Sequence, residues 1–208
     1  MTSTLTVPEI LTPPFRADAV SLLRSYFGPI SGATGWTGSR FERFAGGGDG
    51  SDVADRFTAA DLVAVTLLSV DVPARGAIDL LETRADEFSA LLTEIPTDLE
   101  LVDVVSIPES WAPTRLWTAL RDIRGIGWVT AGKLVARKRP FLIPVYDTVV
   151  QGAVRPTGSF WEALRVALRA HDRALHRYLV ELRDEAEIGT DISPLRVFDV
   201  VVWMAFRP

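Results

Sequence analysis

Asp147 and the run Leu120–Leu134 hold the residue types in this chain best suited to chemistry. Within Leu120-Arg-Asp-Ile-Arg-Gly-Ile-Gly-Trp-Val-Thr-Ala-Gly-Lys-Leu134, two glycines flank one isoleucine. Gly125 supplies a backbone without a Cβ where a preceding helix must stop. Ile126 can plug between two helices, and Gly127 lets backbone approach a ligand closely. A helix that starts at once after Gly127 points its first N–H groups outward, and such groups, with the helix dipole, bind phosphate. Arg124, Gly125, Gly127, Thr130 and Lys133 are therefore the candidate nucleic-acid-binding residues. Contacts of that kind position a duplex without reading its sequence. An ordinary tight helix–helix corner would use the same Gly-Ile-Gly.

Asp147 follows an extended piece, Phe141–Val145, bracketed by Pro140 and Pro144. Its type and place suit a helix N-cap. Tyr146 can line a pocket or sit in the core with its hydroxyl bonded. Trp36 and Arg40, in a glycine-rich stretch over residues 28–52, suit base stacking and phosphate contact; a loop tryptophan can equally anchor its loop. Asp199 lies inside the apolar helix expected over Val197–Phe206 and needs a partner such as arginine; a structural salt bridge and a second cleft carboxylate are both open. His171 and His176 stand five apart, so they do not share a helix face, and no metal site is expected.

The elements that must carry these residues read as helices. Arg16–Phe27 has an apolar face on Ala19, Val20, Leu22, Leu23 and Phe27. Thr58 with Asp61 forms a box-like cap, and Leu62–Leu68, apolar nearly all round, reads as a buried central helix. Pro73 at N1 opens a helix to Glu82, and Ala85–Leu92 continues the pattern. Asp98–Ser106 reads as a short strand or an extended linker. Ser110 and Pro113 start the helix before the glycines, and Val129–Ala136 follows them. Ser159 with Glu162 caps Phe160–Ala170, Asp172–Glu185 is amphipathic, and Ser193-Pro194 opens Leu195–Phe206. The expected fold class is all-α. Residues 1–15, with three prolines by Pro14, read as an extended arm, and 16–208 as a single all-α domain.

Composition bounds the function. The chain has 208 residues, of which 48% are apolar, enough for one substantial core or two small helical lobes sharing one. It has no cysteine, which excludes disulfides, thiolate metal sites and cysteine nucleophiles. No apolar run is long enough to span a membrane, and no signal peptide is visible at residues 1–12, so no membrane partner and a cytoplasmic location are expected. The net charge is −5, but Arg115–Arg139 carries a formal +6 and leaves −11 on the rest. A basic island in an acidic chain points to a local anion-binding face; exposed helix faces also collect arginine without such a role.

Ile123-Arg-Gly-Ile-Gly-Trp-Val-Thr-Ala-Gly-Lys-Leu134 resembles the hairpin of the endonuclease-III-like helix-hairpin-helix DNA glycosylases. Ile143-Pro-Val-Tyr-Asp147-Thr-Val-Val150 is similar to the piece that follows it there, with Asp147 22 positions after Gly125. Phe57–Ser69 is similar to the helix opening that family's core. The resemblance covers 57–150, with the hairpin at 111–137. It implies a two-lobed helical fold with a cleft, duplex DNA as partner, a flipped nucleotide and Asp147 as catalytic carboxylate. Members that cleave strands carry a Schiff-base lysine where this chain has Val129, so the resemblance implies monofunctional base release without a cofactor. Val70-Asp71-Val72 stands where members place polar residues that probe the duplex. The alternatives are a non-catalytic module binding nucleic acid or a protein partner, and an enzyme acting on a free nucleoside or another small anion, with the glycine-rich stretch as a lid.

Overall fold

The computed structural model describes residues 3–31 and 34–208. The described residues are helical, with two isolated β-bridges and no strand. The α-helices are α1 (Arg16–Tyr26), α2 (Ala59–Thr66), α3 (Ala74–Ile78), α4 (Ala85–Thr93), α5 (Ala112–Arg121), α6 (Trp128–Lys138), α7 (Thr148–Val154), α8 (Phe160–Ala186) and α9 (Pro194–Phe206). A wider, π-type turn over Asp79–Thr83 joins α3 to α4. No helix of the described residues is long and apolar enough to cross a membrane.

Local signals set most helix starts. The Thr58 hydroxyl accepts the Asp61 amide while Asp61 Oδ2 accepts the Thr58 amide at 2.8 Å, closing the expected capping box of α2. The Ser159 and Ser193 hydroxyls accept the Glu162 and Arg196 amides to cap α8 and α9. Pro73 stands one position earlier than expected, as the N-cap of α3, and Trp111 rather than Ser110 precedes α5. Asp98–Ser106 forms no strand; it contains one 3-10 turn, Leu101–Asp103. The arm at 1–15 is extended only in part: Glu9–Leu11 and Pro13–Phe15 coil into 3-10 turns, and Leu11 is buried.

The chain expected to form one domain over 16–208 divides into two compact units. Met1–Ser39, Glu100–Ser106 and Pro144–Pro208 make one; Arg40–Leu99 and Ile107–Ile143 make the other. In the first, α9 packs against α1, α7 and α8 over Leu23, Val150, Leu168, Leu179 and Val197. In the second, α6 packs against α2 and α5, and α5 against α4, over Val65, Phe88, Leu116 and Leu134. α2 is not the enclosed helix that its composition predicts, because Val63 is exposed. The enclosed helices are α9 over Pro194–Val202 and, despite its charges, α6: every residue of α6 from Thr130 to Lys138 is buried.

α8 holds the two helices expected over 160–185, joined across a kink. The kink falls at Ala170, whose ψ is 152°, and at His171, Asp172 and Arg173, whose φ values are 49°, 54° and 61°.

Candidate functional site

The corner between α5 and α6 is built as its sequence predicts. Gly125 has φ +91°, and a Cβ there would lie 2.6 Å from Pro73 Cγ, so the position demands glycine on both counts. Ile123 and Ile126 on either side are buried and pin the turn to the core. Trp117 Nε1 donates to the Trp128 carbonyl at 3.2 Å and ties α5 to the start of α6. The Arg121 guanidinium lies 4.5 Å over the Trp117 ring. Gly127 is the N-cap of α6, and no side chain caps the helix start. A Cβ on Gly127 would meet nothing within 4 Å, so the space before these amides is open. Gly125, Gly127 and Arg124 are exposed there together. Outward amides at a positive dipole end, beside an arginine, can hold an anion.

The deeper part of the expected surface is not a surface. Lys133 is buried, and its ammonium donates to the Leu68 carbonyl at 2.8 Å. It closes the end of the turn that follows α2, so the phosphate contact expected of it is corrected to a structural one. Thr130 is buried as well. Arg137, Lys138 and Arg139, the densest part of the basic island, are enclosed at 2%, 0% and 1% exposure. Arg137 donates to the carbonyls of Phe41, Glu42 (2.8 Å) and Phe44 (2.6 Å) and to Asp61 Oδ1 at 3.2 Å. Lys138 Nζ meets Asp61 Oδ2 at 2.5 Å and the carbonyls of Gly48 and Val53. Arg139 donates to the carbonyls of Ala54 (2.9 Å), Leu92 (2.7 Å) and Ile95 (2.8 Å) and to Asp55 Oδ1 at 2.7 Å. Burial pushes the Lys138 ammonium below its ordinary range, with Asp61 opposing that shift. The three cations fasten the stretch from Phe41 to Ala54, part of the glycine-rich region.

Of the island, Arg115, Arg121 and Arg124 stay exposed, and Arg115 is paired with Glu94. The anion-binding capacity read from the +6 island thus shrinks to the corner itself. Periodicity marks α6 as a helix but not which side of it meets carbonyls.

The other candidates lie in the first unit, apart from Arg40, which opens the second. Asp147 is the N-cap of α7: its Oδ1 accepts the Val149 and Val150 amides at 3.0 and 3.1 Å. Its Oδ2 has no partner among the described residues, and the residue is half-buried. Tyr146 stacks on Phe160 with ring centroids 3.8 Å apart, and burial raises its hydroxyl above the ordinary value. Trp36 stacks on Tyr26, meets Trp203 edge-on at 5.4 Å and has the Arg207 guanidinium 4.4 Å over its ring, so it anchors its stretch to α1 and α9. Arg40 is exposed and ends the 3-10 turn Thr37–Arg40. Asp199 is buried and ion-paired with Arg196, which also donates to the Tyr26 hydroxyl and the Gly38 carbonyl. That is the salt bridge its place in an apolar helix predicts. Among the described residues no group of three His, Asp or Glu side chains is arranged to hold a metal ion.

Sequence reasoning missed Asp61 as the counter-ion of Arg137 and Lys138, and missed a series of basic residues along α8. The second had a visible signal: Arg165, Arg169 and Arg173 stand four apart.

No curated protein and no solved structure matches the chain. A family model described as "Family of unknown function (DUF6308)" matches residues 19–206, and on that span the chain belongs to the DUF6308 family.

Proposed function

We propose that the chain binds the phosphate backbone of duplex DNA at the α5–α6 corner. The observation that carries this reading is the uncapped start of α6 at Gly127, open in front and with the Arg124 side chain exposed just before it. A phosphate oxygen there would accept α6 amides and gain the positive end of the helix dipole. Arg124 would add a charge-assisted contact. Gly127→Asp tests this directly. Gly127 has φ −82° and ψ 177°, which any residue adopts, so an aspartate fits and caps α6 itself. Duplex affinity is expected to fall about tenfold or more, with stability unchanged or raised. Arg124→Ala is expected to reduce the salt dependence of binding by about one phosphate contact. Duplex affinity indifferent to salt and to both substitutions overturns the proposal.

Base excision at Asp147 is the second reading, favoured by the partnerless Asp147 Oδ2. A carboxylate oxygen so placed can activate water or stabilise a cationic sugar. Val129 has no amine for a Schiff base, so release would occur without strand cleavage. Duplexes carrying deaminated, oxidised or alkylated bases are the substrates to screen. Asp147→Asn keeps an N-cap and is expected to abolish release while leaving duplex binding intact. If wild type releases no base while binding persists, the non-catalytic nucleic-acid module stands. If duplex binding is absent too, a protein partner remains.

A further inference from the structure

The end of α9 turns an arginine back onto its own tryptophan. Trp203 stands in the last turn of α9, and its carbonyl accepts the Arg207 amide at 2.8 Å. The backbone leaves the helix there at φ −60° and ψ 145°. The Arg207 guanidinium carbon lies 4.4 Å from the centre of the Trp36 ring and 5.9 Å from that of Trp203. The two indoles meet at 82°, so they make two walls of a corner that the cation occupies. Trp36 and Trp203 are half-buried, whereas Arg207 is exposed. Among the described residues no carboxylate pairs with Arg207, so its charge meets π faces and water. The walls are fixed from elsewhere in the first unit. Tyr26, which is buried, stacks parallel to Trp36 at 6.4 Å and meets Trp203 edge-on at 6.2 Å. Its hydroxyl accepts from Arg196 at 2.7 Å, and Arg196 pairs with Asp199 in turn. Gly35 turns the chain that delivers Trp36: its φ is +95°, and a Cβ there would lie 2.9 Å from Ile30 Cα.

We propose that the Trp36–Trp203 corner is a binding site for an alkylguanidinium, the group that an arginine side chain carries, and that Arg207 is its resident competitor. Fixed aromatic walls around one exposed side chain make a preorganised site whose occupant leaves at low cost. A planar guanidinium stacks on an indole, which a compact and strongly hydrated ammonium does less well. Arg207 holds the corner at the high effective concentration of a group in the same chain, so an incoming guanidinium binds only by displacing it. The proposal depends neither on the α5–α6 corner nor on Asp147.

Titration of the full chain with N-acetyl-arginine amide tests the site, read from the indole N–H signals of Trp36 and Trp203 in proton–nitrogen NMR spectra. Arg207→Ala removes an exposed side chain and is expected to leave the fold intact. Loss of the competitor is expected to tighten binding about tenfold relative to wild type. N-acetyl-citrulline amide has nearly the same shape without the charge and is expected not to bind. Trp36→Leu, added to Arg207→Ala, is expected to abolish binding with the helical circular-dichroism signal unchanged. Free arginine, titrated in parallel, separates the two sources of the group: tighter binding than the amide identifies a small molecule, and weaker binding identifies an arginine within a polypeptide. Equal affinity of wild type and Arg207→Ala for the arginine amide overturns the proposal. So does a citrulline amide that binds as tightly as the arginine amide.

Discussion

Arg137, Lys138 and Arg139 show how consecutive cations become core residues. Side by side they repel one another, yet each ends among backbone carbonyls, and Asp61 bridges the first two. Arg137 and Lys138 also occupy the last turn of α6, where the dipole favours positive charge. Gly48 has no room for a side chain because a Cβ would lie 2.5 Å from the Arg137 carbonyl oxygen. Removing Arg137 leaves Asp61 paired with Lys138 but strands the carbonyls of Phe41, Glu42 and Phe44 without their donor. Arg137→Met is therefore expected to destabilise the fold by about 3–5 kcal/mol in urea titrations. Arg124→Ala, at an exposed position, is expected to shift stability by less than about 0.5 kcal/mol. Equal stability losses in the two variants would contradict the division of the basic residues between core and corner.

At the scale of elements, α8 is where local preference and tertiary demand disagree. Left-handed backbone costs an L-residue about 1–2 kcal/mol, and α8 holds three such residues in a row. His171 is exposed, with φ 49° and ψ 51°. Glycine takes that conformation freely but has more conformational entropy to lose on folding. The balance favours His171→Gly by about 0.5–1 kcal/mol, a rise of roughly 1–4 °C in Tm. Thermal melts check this, and a lower Tm would show that the break is not strained at that residue. The starts of α2, α8 and α9 leave no such gain, because Thr58, Ser159 and Ser193 already provide the favoured caps.

At the scale of the molecule, the chain passes between its two compact units at 39/40, 99/100, 106/107 and 143/144. Neither unit is a continuous stretch. Freeing the ends of one therefore disturbs the path of the other, and a single cooperative transition is expected. Tryptophans report on each separately: Trp36 and Trp203 lie in the first unit, Trp117 and Trp128 in the second. In the wild-type chain, tryptophan fluorescence and far-ultraviolet circular dichroism are expected to give the same urea midpoint. Midpoints separated beyond error would show that the units unfold independently.

What the sequence determined by itself is short in range. The all-helical class, the caps at Thr58, Ser159 and Ser193, the positive-φ turn at Gly125 and the N-cap at Asp147 all rest on residues within about one helical turn of each other, whereas the contact of Gly125 with Pro73 is tertiary. The charge pairing of Asp199 was also legible, since its partner Arg196 is three positions away on the same helix. Tertiary structure alone decided which charges face water. Arg137 meets the Phe41 carbonyl 96 positions away, and Lys133 meets Leu68 65 positions away. Trp36 likewise finds Trp203 from the far end of the chain. Helical periodicity says that Lys133 and Arg137 share a side of α6, but that side is apolar or polar only by what packs on it. A buried cation is stable where carbonyls from distant segments replace its water, and no local pattern records where those carbonyls come from.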